Sequence, residues 1–344
     1  MRKVFLIFSS ILLAGFLLSA CRLTPALAPT PTPPPPAATH TATPSTTASP
    51  TLPLAPSESP IPPSPTPTPR PPVERVLIIS IDGLRPDAIA LAPMPTLMAL
   101  MQAGAYNLSA QTNFPSVTLS SHASMLLGVC PAQHGVNWND YLPLLGYAQG
   151  ESVFALAKQA GLRTVMVVGK KKLSQVTLPE TLDDYQFVND RDTVLVEQAI
   201  PLLKKGFGLA FLHFATTDDM GHNYGWLSSQ QLSVVRRADE AIGTLLAALD
   251  ESGLRNGTLL IVSADHGGHE QTHGSRLPED MTIPWIANGP GILPQVLTLP
   301  VNTTDTAATA AWALGLRLPA GAVGRPITEA FGEPATLRPE PRCP

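Results

Sequence analysis

Residues 73–344 predict an α/β fold whose central sheet is largely parallel, with helices on both faces. Three features lead there. Apolar runs such as "RVLIISI" (Arg75–Ile81) lack alternation, as strands buried on both sides do. Helical patterns separate these runs, and strand–helix alternation favours a parallel sheet. The composition also changes at about Val73, and the following stretch of about 270 residues is ample for one large core.

The chain opens on Met1-Arg2-Lys3 and then an uncharged apolar run, residues 4–18. This run falls short of the roughly 20 residues that span a bilayer. It reads as a secretory signal over residues 1–20. "LSAC" (18–21) follows directly and resembles the lipobox of bacterial lipoproteins. That resemblance implies a lipidated Cys21 and an extracytoplasmic protein anchored to the cell membrane. Residues 22–72 hold 19 of the 38 prolines, among Thr, Ser and Ala. Such a segment cannot offset the entropy of ordering, so 21–72 is expected to be a disordered, extended tether. The net charge of -4 gives no electrostatic footprint for nucleic acid. Cys130 and Cys343 remain. An oxidising compartment would permit their pairing, but Cys343 sits in a Pro-rich tail, which weighs against it.

Further strands are expected in "LRTVMVVG" (162–169), "GLAFLHF" (208–214) and "NGTLLIVSA" (256–264). The clearest helix covers 230–252. Leu232, Val235, Ile242, Leu245, Leu246 and Leu249 share one face. Ser228 and Gln231 form a capping-box pattern, and Gly253 suits the stop.

In such sheets ligands bind beyond the carboxyl ends of the strands. "RVLIISIDG" delivers Asp82 there. "LAFLHFATTDDMGH" delivers Asp218 and His222. "SADHGGHEQTHG" (263–274) delivers Asp265, His266 and His273. A lone Asp at a strand end is ordinarily a turn or cap residue. Three strand ends supplying three Asp and three His are harder to explain that way, and the set suits two metal ions. Its mixed nitrogen and oxygen donors favour zinc, with manganese as the alternative. Thr118 begins a helical pattern that Gly128 stops. Such a Thr is ordinarily an N-cap. It also suits a nucleophile whose phosphate target rests on the first-turn N–H groups.

Asp82, Thr118, Asp218/His222, Asp265/His266 and His273, in this order, resemble the alkaline phosphatase superfamily. "VTLSSHASMLLGVCPAQHGV" is similar to its type I phosphodiesterase / nucleotide pyrophosphatase branch. "MTIPWIANGPG" (281–291) and "GRPI" (324–327) extend the likeness over roughly 75–330. The resemblance implies an alkaline phosphatase-like fold and one ion held by Asp82, Thr118, Asp265 and His266. A second ion falls to Asp218, His222 and His273. His269 and Glu270 have no family role, and His122 reads as structural. Where the nucleotide pyrophosphatases carry a phosphate-contacting Asn, three residues after the nucleophile, this chain has Ser121. Asn139 is a candidate to compensate at the pocket rim, against a plain loop-folding role.

The sulfatase branch needs a modified Cys or Ser in a C/S-x-P-x-R context, which "TLSSH" lacks. The cofactor-independent mutases use Ser and a large inserted domain. The monoesterase branch uses an Arg on the phosphate, and no Arg lies near Thr118 in the sequence, which favours diesters. The expected function is metal-dependent hydrolysis of a small phosphodiester, nucleotide or pyrophosphate substrate through phosphothreonine. The alternatives are a phosphonate, phospholipid or sulfate ester hydrolase, and a metal-stabilised binding protein without turnover.

Overall fold

Among the described residues eight strands follow in chain order: β1 (Arg75–Ile81), β2 (Ala105–Gln111), β3 (Thr164–Val168), β4 (Asp184–Phe187), β5 (Leu209–Phe214), β6 (Thr258–Ser263), β7 (Thr282–Asn288) and β8 (Gln295–Val296). They form one sheet in the order β4-β3-β5-β1-β6-β7-β2-β8. The structure, a computed structural model, describes residues 73–340 and Cys343. The predicted signal, Cys21 and the proline-rich tether lie outside the described residues.

Every residue of β3, β5 and β6 is buried, as are all of β1 after Arg75. Burial on both faces accounts for their unbroken apolar character. Five pairings are parallel, while β7 runs against both β6 and β2. The β6–β7 connection explains this exception. A parallel return needs a crossover to the other end of the sheet. The connection instead stays at the carboxyl end, where it carries His266 and His273, so β7 enters antiparallel.

Helices cover both faces. Pro95–Gln102, Asp192–Lys204 and Thr216–Tyr224 pack with the long helix Ser229–Glu251, while Thr118–Leu127 packs with Val153–Gln159 and Asp305–Ala313. The long helix buries Val235, Ile242, Leu245 and Leu249; Leu232 and Leu246 are half-buried. Only half of its expected capping box forms. Ser228 Oγ accepts from Gln231 N at 3.2 Å, but Gln231 Oε1 accepts from Leu227 N at 2.7 Å. The reason is that Ser228 N–H is already committed to Gly225 O at 3.2 Å. Gly253 follows the helix in a left-handed conformation, φ +70°.

Cys130 and Cys343 form a disulfide, which corrects the expectation drawn from the tail's prolines. That tail is held, because Glu340 accepts from Asn302 Nδ2 at 3.2 Å. Among the described residues no helix is long and apolar enough to cross a membrane.

Candidate active site

β5, β1 and β6 are neighbours, with Ser80 of β1 opposite His213 of β5 and Ser263 of β6. Their carboxyl ends therefore deliver three segments to one place. Asp82 stands one residue past β1. Asp218 and His222 share one face of the helix that follows β5, at i and i+4. Asp265 and His266 follow β6. Two glycines let these segments meet. Gly83 has φ +70°, and a Cβ there would lie 3.1 Å from the Trp226 ring and 3.3 Å from Asp218 Cβ. At Gly268 a Cβ would lie 2.2 Å from the same ring, so the His266–His273 loop closes over Trp226 only as glycine.

The three predicted imidazoles share one arrangement. His222 Nδ1 faces Gln271 O at 2.9 Å, His266 Nδ1 faces Gly267 O at 2.7 Å, and His273 Nδ1 faces Ser116 O at 2.9 Å. A carbonyl only accepts, so each Nδ1 carries the proton. In the neutral ring Nε2 is then left with its lone pair, the second-shell pattern of metal-ligating histidines. His122 differs. It donates from Nδ1 to Thr118 O at 2.7 Å and bonds Ser80 Oγ through Nε2 at 2.8 Å. Both its nitrogens are engaged, in keeping with a structural role.

The Nε2 atoms converge on carboxylates. His266 Nε2 lies 3.3 Å from Asp82 Oδ1 and 3.3 Å from Asp265 Oδ2. His222 Nε2 and His273 Nε2 each lie 3.5 Å from Asp218 Oδ1. These spacings exceed the roughly 2.7–3.2 Å of an N–H···O bond. They match the ~3.4 Å between two ligands held about 2.1 Å from one tetrahedral ion. The same three oxygens, Asp82 Oδ1, Asp218 Oδ1 and Asp265 Oδ2, are buried without a hydrogen-bond partner among the described residues. Orphaned anionic oxygens facing imidazole Nε2 atoms fit divalent cations. Ligand atoms of Asp218, His222 and His273 lie within 4.8 Å of one another, as do those of Asp82, Asp218 and His266. Asp218 thus borders both groups, whereas the sequence reading assigns it wholly to the second. Asp265 adjoins the first group through His266.

Charge in the cluster is tightly balanced. Burial opposes ionisation of Asp82, but the Lys170 ammonium and the His213 hydrogen bond outweigh it and hold its carboxyl well below the usual range. Burial and the Asp82 charge push Asp265 up to about 7. Burial disfavours charge on His266, yet Asp265 and Asp82 raise it to about 9, so without an ion its Nε2 holds a proton that a bound cation would displace. Burial, with His266 beside it, takes His273 down to about 4.

Thr118 is the first residue of its helix. The N-cap is Val117, in extended conformation (φ -129°, ψ 149°), and no side chain caps the end. The Thr118 hydroxyl is therefore not used as a cap. It is fully buried, and Oγ1 lies 3.5 Å from His266 Nε2. Asn139 Oδ1 accepts from Leu119 N at 3.0 Å, which places this side chain at the same helix start rather than in a remote loop. Ser121 is fully buried, with Oγ 3.1 Å from Thr112 Oγ1. His269 Nδ1 donates to Asp280 Oδ1 at 2.7 Å, and Glu270 O accepts from Trp226 N at 2.7 Å. Both brace the loop.

Four neighbours escape the sequence reading. Lys170 Nζ bridges Asp82 Oδ2 at 2.6 Å and Asp218 Oδ2 at 2.5 Å. Lys172 Nζ donates to Asn139 Oδ1 at 3.0 Å. Trp226 packs its ring edge-on to His222 and His273. His213 Nε2 donates to Asp82 Oδ2 at 3.0 Å. Only His213 leaves a signal in the sequence, as the one titratable side chain inside an otherwise apolar strand.

Comparison with known proteins agrees with this geometry. Residues 76–279 match the family model for type I phosphodiesterase / nucleotide pyrophosphatase. The human ectonucleotide pyrophosphatase/phosphodiesterase family member 1 is 26% identical over 216 residues, covering 56% of this chain and 23% of the relative. The chain thus spans under a quarter of that relative's length. Among solved structures, alkaline phosphatase PafA superposes with a TM-score of 0.66 at 14% identity, covering 78% of this chain and 100% of the other. Murine ectonucleotide pyrophosphatase/phosphodiesterase 5, an inactive variant in complex with AMP, gives 0.62 at 18%, covering 72% and 96%. At such identities the structural likeness speaks for the alkaline phosphatase-like fold. The family model covers more than half of the sequence, and the chain belongs to the type I phosphodiesterase / nucleotide pyrophosphatase family.

Proposed function

We propose that the protein hydrolyses phosphodiester or pyrophosphate bonds of small substrates through a phosphothreonine at Thr118, with two divalent ions. Asp82, Thr118, Asp265 and His266 would hold one, and Asp218, His222 and His273 the other, with Asp218 near enough to serve both. The donor set favours zinc. One observation carries the reading. Three imidazole Nε2 atoms face three orphaned carboxylate oxygens at 3.3–3.5 Å beside a threonine hydroxyl free of capping duty.

When bound, the ions supply Lewis-acid charge at the attacking and leaving oxygens and lower the pKa of hydroxyl and water. The chain's own residues do the rest. Thr118 Oγ1 attacks phosphorus opposite the leaving group. The Oγ1–P bond forms as the P–O bond to the leaving group breaks. The threonine proton passes to solvent, and the leaving oxygen takes one up. Water then cleaves the phosphothreonine at phosphorus and restores the hydroxyl. The first turn of the Thr118 helix offers the positive end of its dipole to the phosphoryl oxygens, with the Leu119 N–H held by Asn139 Oδ1. A binding protein without turnover has no use for a nucleophile there.

Removing and returning metal tests this. Chelated protein is expected to lose hydrolysis of a nitrophenyl diester, and zinc to restore it as content returns to about two per chain. A fully active enzyme containing a single ion sinks the two-ion reading.

We also propose that the catalytic part works outside the cytoplasm, tethered through lipid on Cys21. The Cys130–Cys343 disulfide supports an oxidising compartment. A Cys21→Ser form is expected to leave the membrane fraction; one that stays anchored as before contradicts the tether.

A further inference from the structure

We propose that the turn "YLPLLGY" (141–147) seats in a lipid surface and sets the catalytic part against a membrane. The inference concerns orientation, and it is independent of the hydrolase and Cys21 readings.

Half of the large hydrophobic side chains exposed among the described residues fall in two short stretches, 141–147 and 178–187. The first holds Tyr141, Leu142, Leu144, Leu145 and Tyr147, and Leu144 is wholly exposed. Tyr141 and Tyr147 line one open cavity of about 280 Å³ with Tyr185 and Phe187 of the second stretch. The two stretches therefore make one surface, and a continuous exposed apolar surface marks an interaction site.

The turn is fixed in place. Gln175 is buried; its Oε1 accepts from Leu142 N at 2.9 Å, and its Nε2 donates to Leu142 O at 2.8 Å and Gly146 O at 2.6 Å. Within the turn Leu145 N donates to Leu142 O at 2.9 Å, and Gly146 N to Pro143 O at 3.1 Å. Pro143 has no N–H to satisfy. The fold thus uses a buried side chain to hold three leucines out in water.

Three features point to lipid as the partner. Hydrocarbon offers no hydrogen bonds, so a segment entering it must satisfy its backbone internally, and both ends of this turn do. A protein interface instead carries about one hydrogen bond per 100–200 Å², and a protruding Leu144 would need a matching pocket that a fluid layer does not. Leucines between two tyrosines also put the amphipathic rings at the headgroup level. Charge beside the patch is mixed: the Lys171 ammonium, 4.5 Å from the centre of the Tyr141 ring, stands with exposed Asp140 and Glu180. The attraction is therefore apolar, and so small a surface binds weakly and reversibly. It orients the protein and does not hold it, so the expected release of the Cys21→Ser form is unchanged. The turn starts two residues after Asn139, at most about 7 Å of chain. Asn139 Oδ1 accepts from Leu119 N, so seating the turn brings the headgroup layer beside the start of the Thr118 helix.

The test uses the full-length chain with Cys21→Ser and the Cys130–Cys343 disulfide intact, so that Leu144→Cys adds the single free thiol. A nitrobenzoxadiazole probe on that thiol is read in excess phosphatidylcholine vesicles. Its fluorescence is expected to rise severalfold, to be quenched by brominated acyl chains, and to lose most of its quenching by aqueous iodide. The same probe at Val296→Cys, exposed on β8 at the opposite edge of the sheet from β4, is expected to stay open to iodide. A probe at 144 that remains in water among the vesicles, or equal shielding at 296, overturns the proposal. Shielding of 144 in the protein alone also overturns it, because the patch is then an interface between copies of the chain. None of these readouts needs turnover or lipid on Cys21, so their failure leaves the hydrolase and tether readings to their own tests.

Discussion

The two halves of the carboxylate–imidazole cluster are built on different ground. Asp82, Asp265 and His266 are fully buried, directly after β1 and β6. Sheet and helix groups brace them: His213 on Asp82, the Gly83 N–H on Asp265 at 3.2 Å, and His122 Nδ1 3.4 Å from Asp265 Oδ2. His222 and His273 come from a helix end and a loop, and the His222 side chain is 43% exposed. The difference teaches where stability and access divide. The buried half is wired into the core, so disturbing it reaches the fold. The other half reaches solvent through His222, and its loss is expected to stay local.

The largest effect is expected at the buried half. Asp82→Ala removes the partner of Lys170, His213 and His266 together. Activity is expected to fall roughly 10³-fold, since a bound cation supplies several kcal/mol of transition-state stabilisation. The metal-free protein is also expected to lose about 3–5 kcal/mol, because charges are left buried without their partner; urea unfolding measures it. His222→Ala on the open half gives the smaller change. Activity falls about 10–100-fold and returns in excess zinc, while stability moves by less than ~0.5 kcal/mol. If His222→Ala unfolds as easily as Asp82→Ala, the contrast between the halves is wrong.

Much of this was legible because it rests on local pattern. The strands show as apolar runs without alternation, and β1, β5 and β6 each lead to an acidic or imidazole residue within a few positions. Gly128 stops the Thr118 helix with φ +70°, as a helix-terminating glycine does. What escaped depends on tertiary placement. Nothing in "KKK" at 170–172 tells its members apart, and only the fold sends them to two carboxylates, an aromatic ring and an amide. The disulfide joins residues 213 positions apart, beyond any local signal. Asp218 bordering both ligand groups follows from how the Thr216–Tyr224 helix is set against β1, and spacing along the chain carries no trace of that. The direction of β7 follows from a connection that stays at one end of the sheet, whose length alone does not reveal its path.

The central claim is that the Thr118 hydroxyl is the nucleophile. With Val117 as N-cap, Thr118→Ala removes no cap and leaves His266 and the carboxylates in place. The decisive measurement is diester hydrolysis by folded Thr118→Ala protein with its metal content verified, beside Thr118→Ser. The account predicts a fall of at least ~10⁴-fold for the alanine form, the scale for losing a nucleophile, with part of the activity kept by serine. Turnover near the wild-type rate by metal-loaded Thr118→Ala would contradict it.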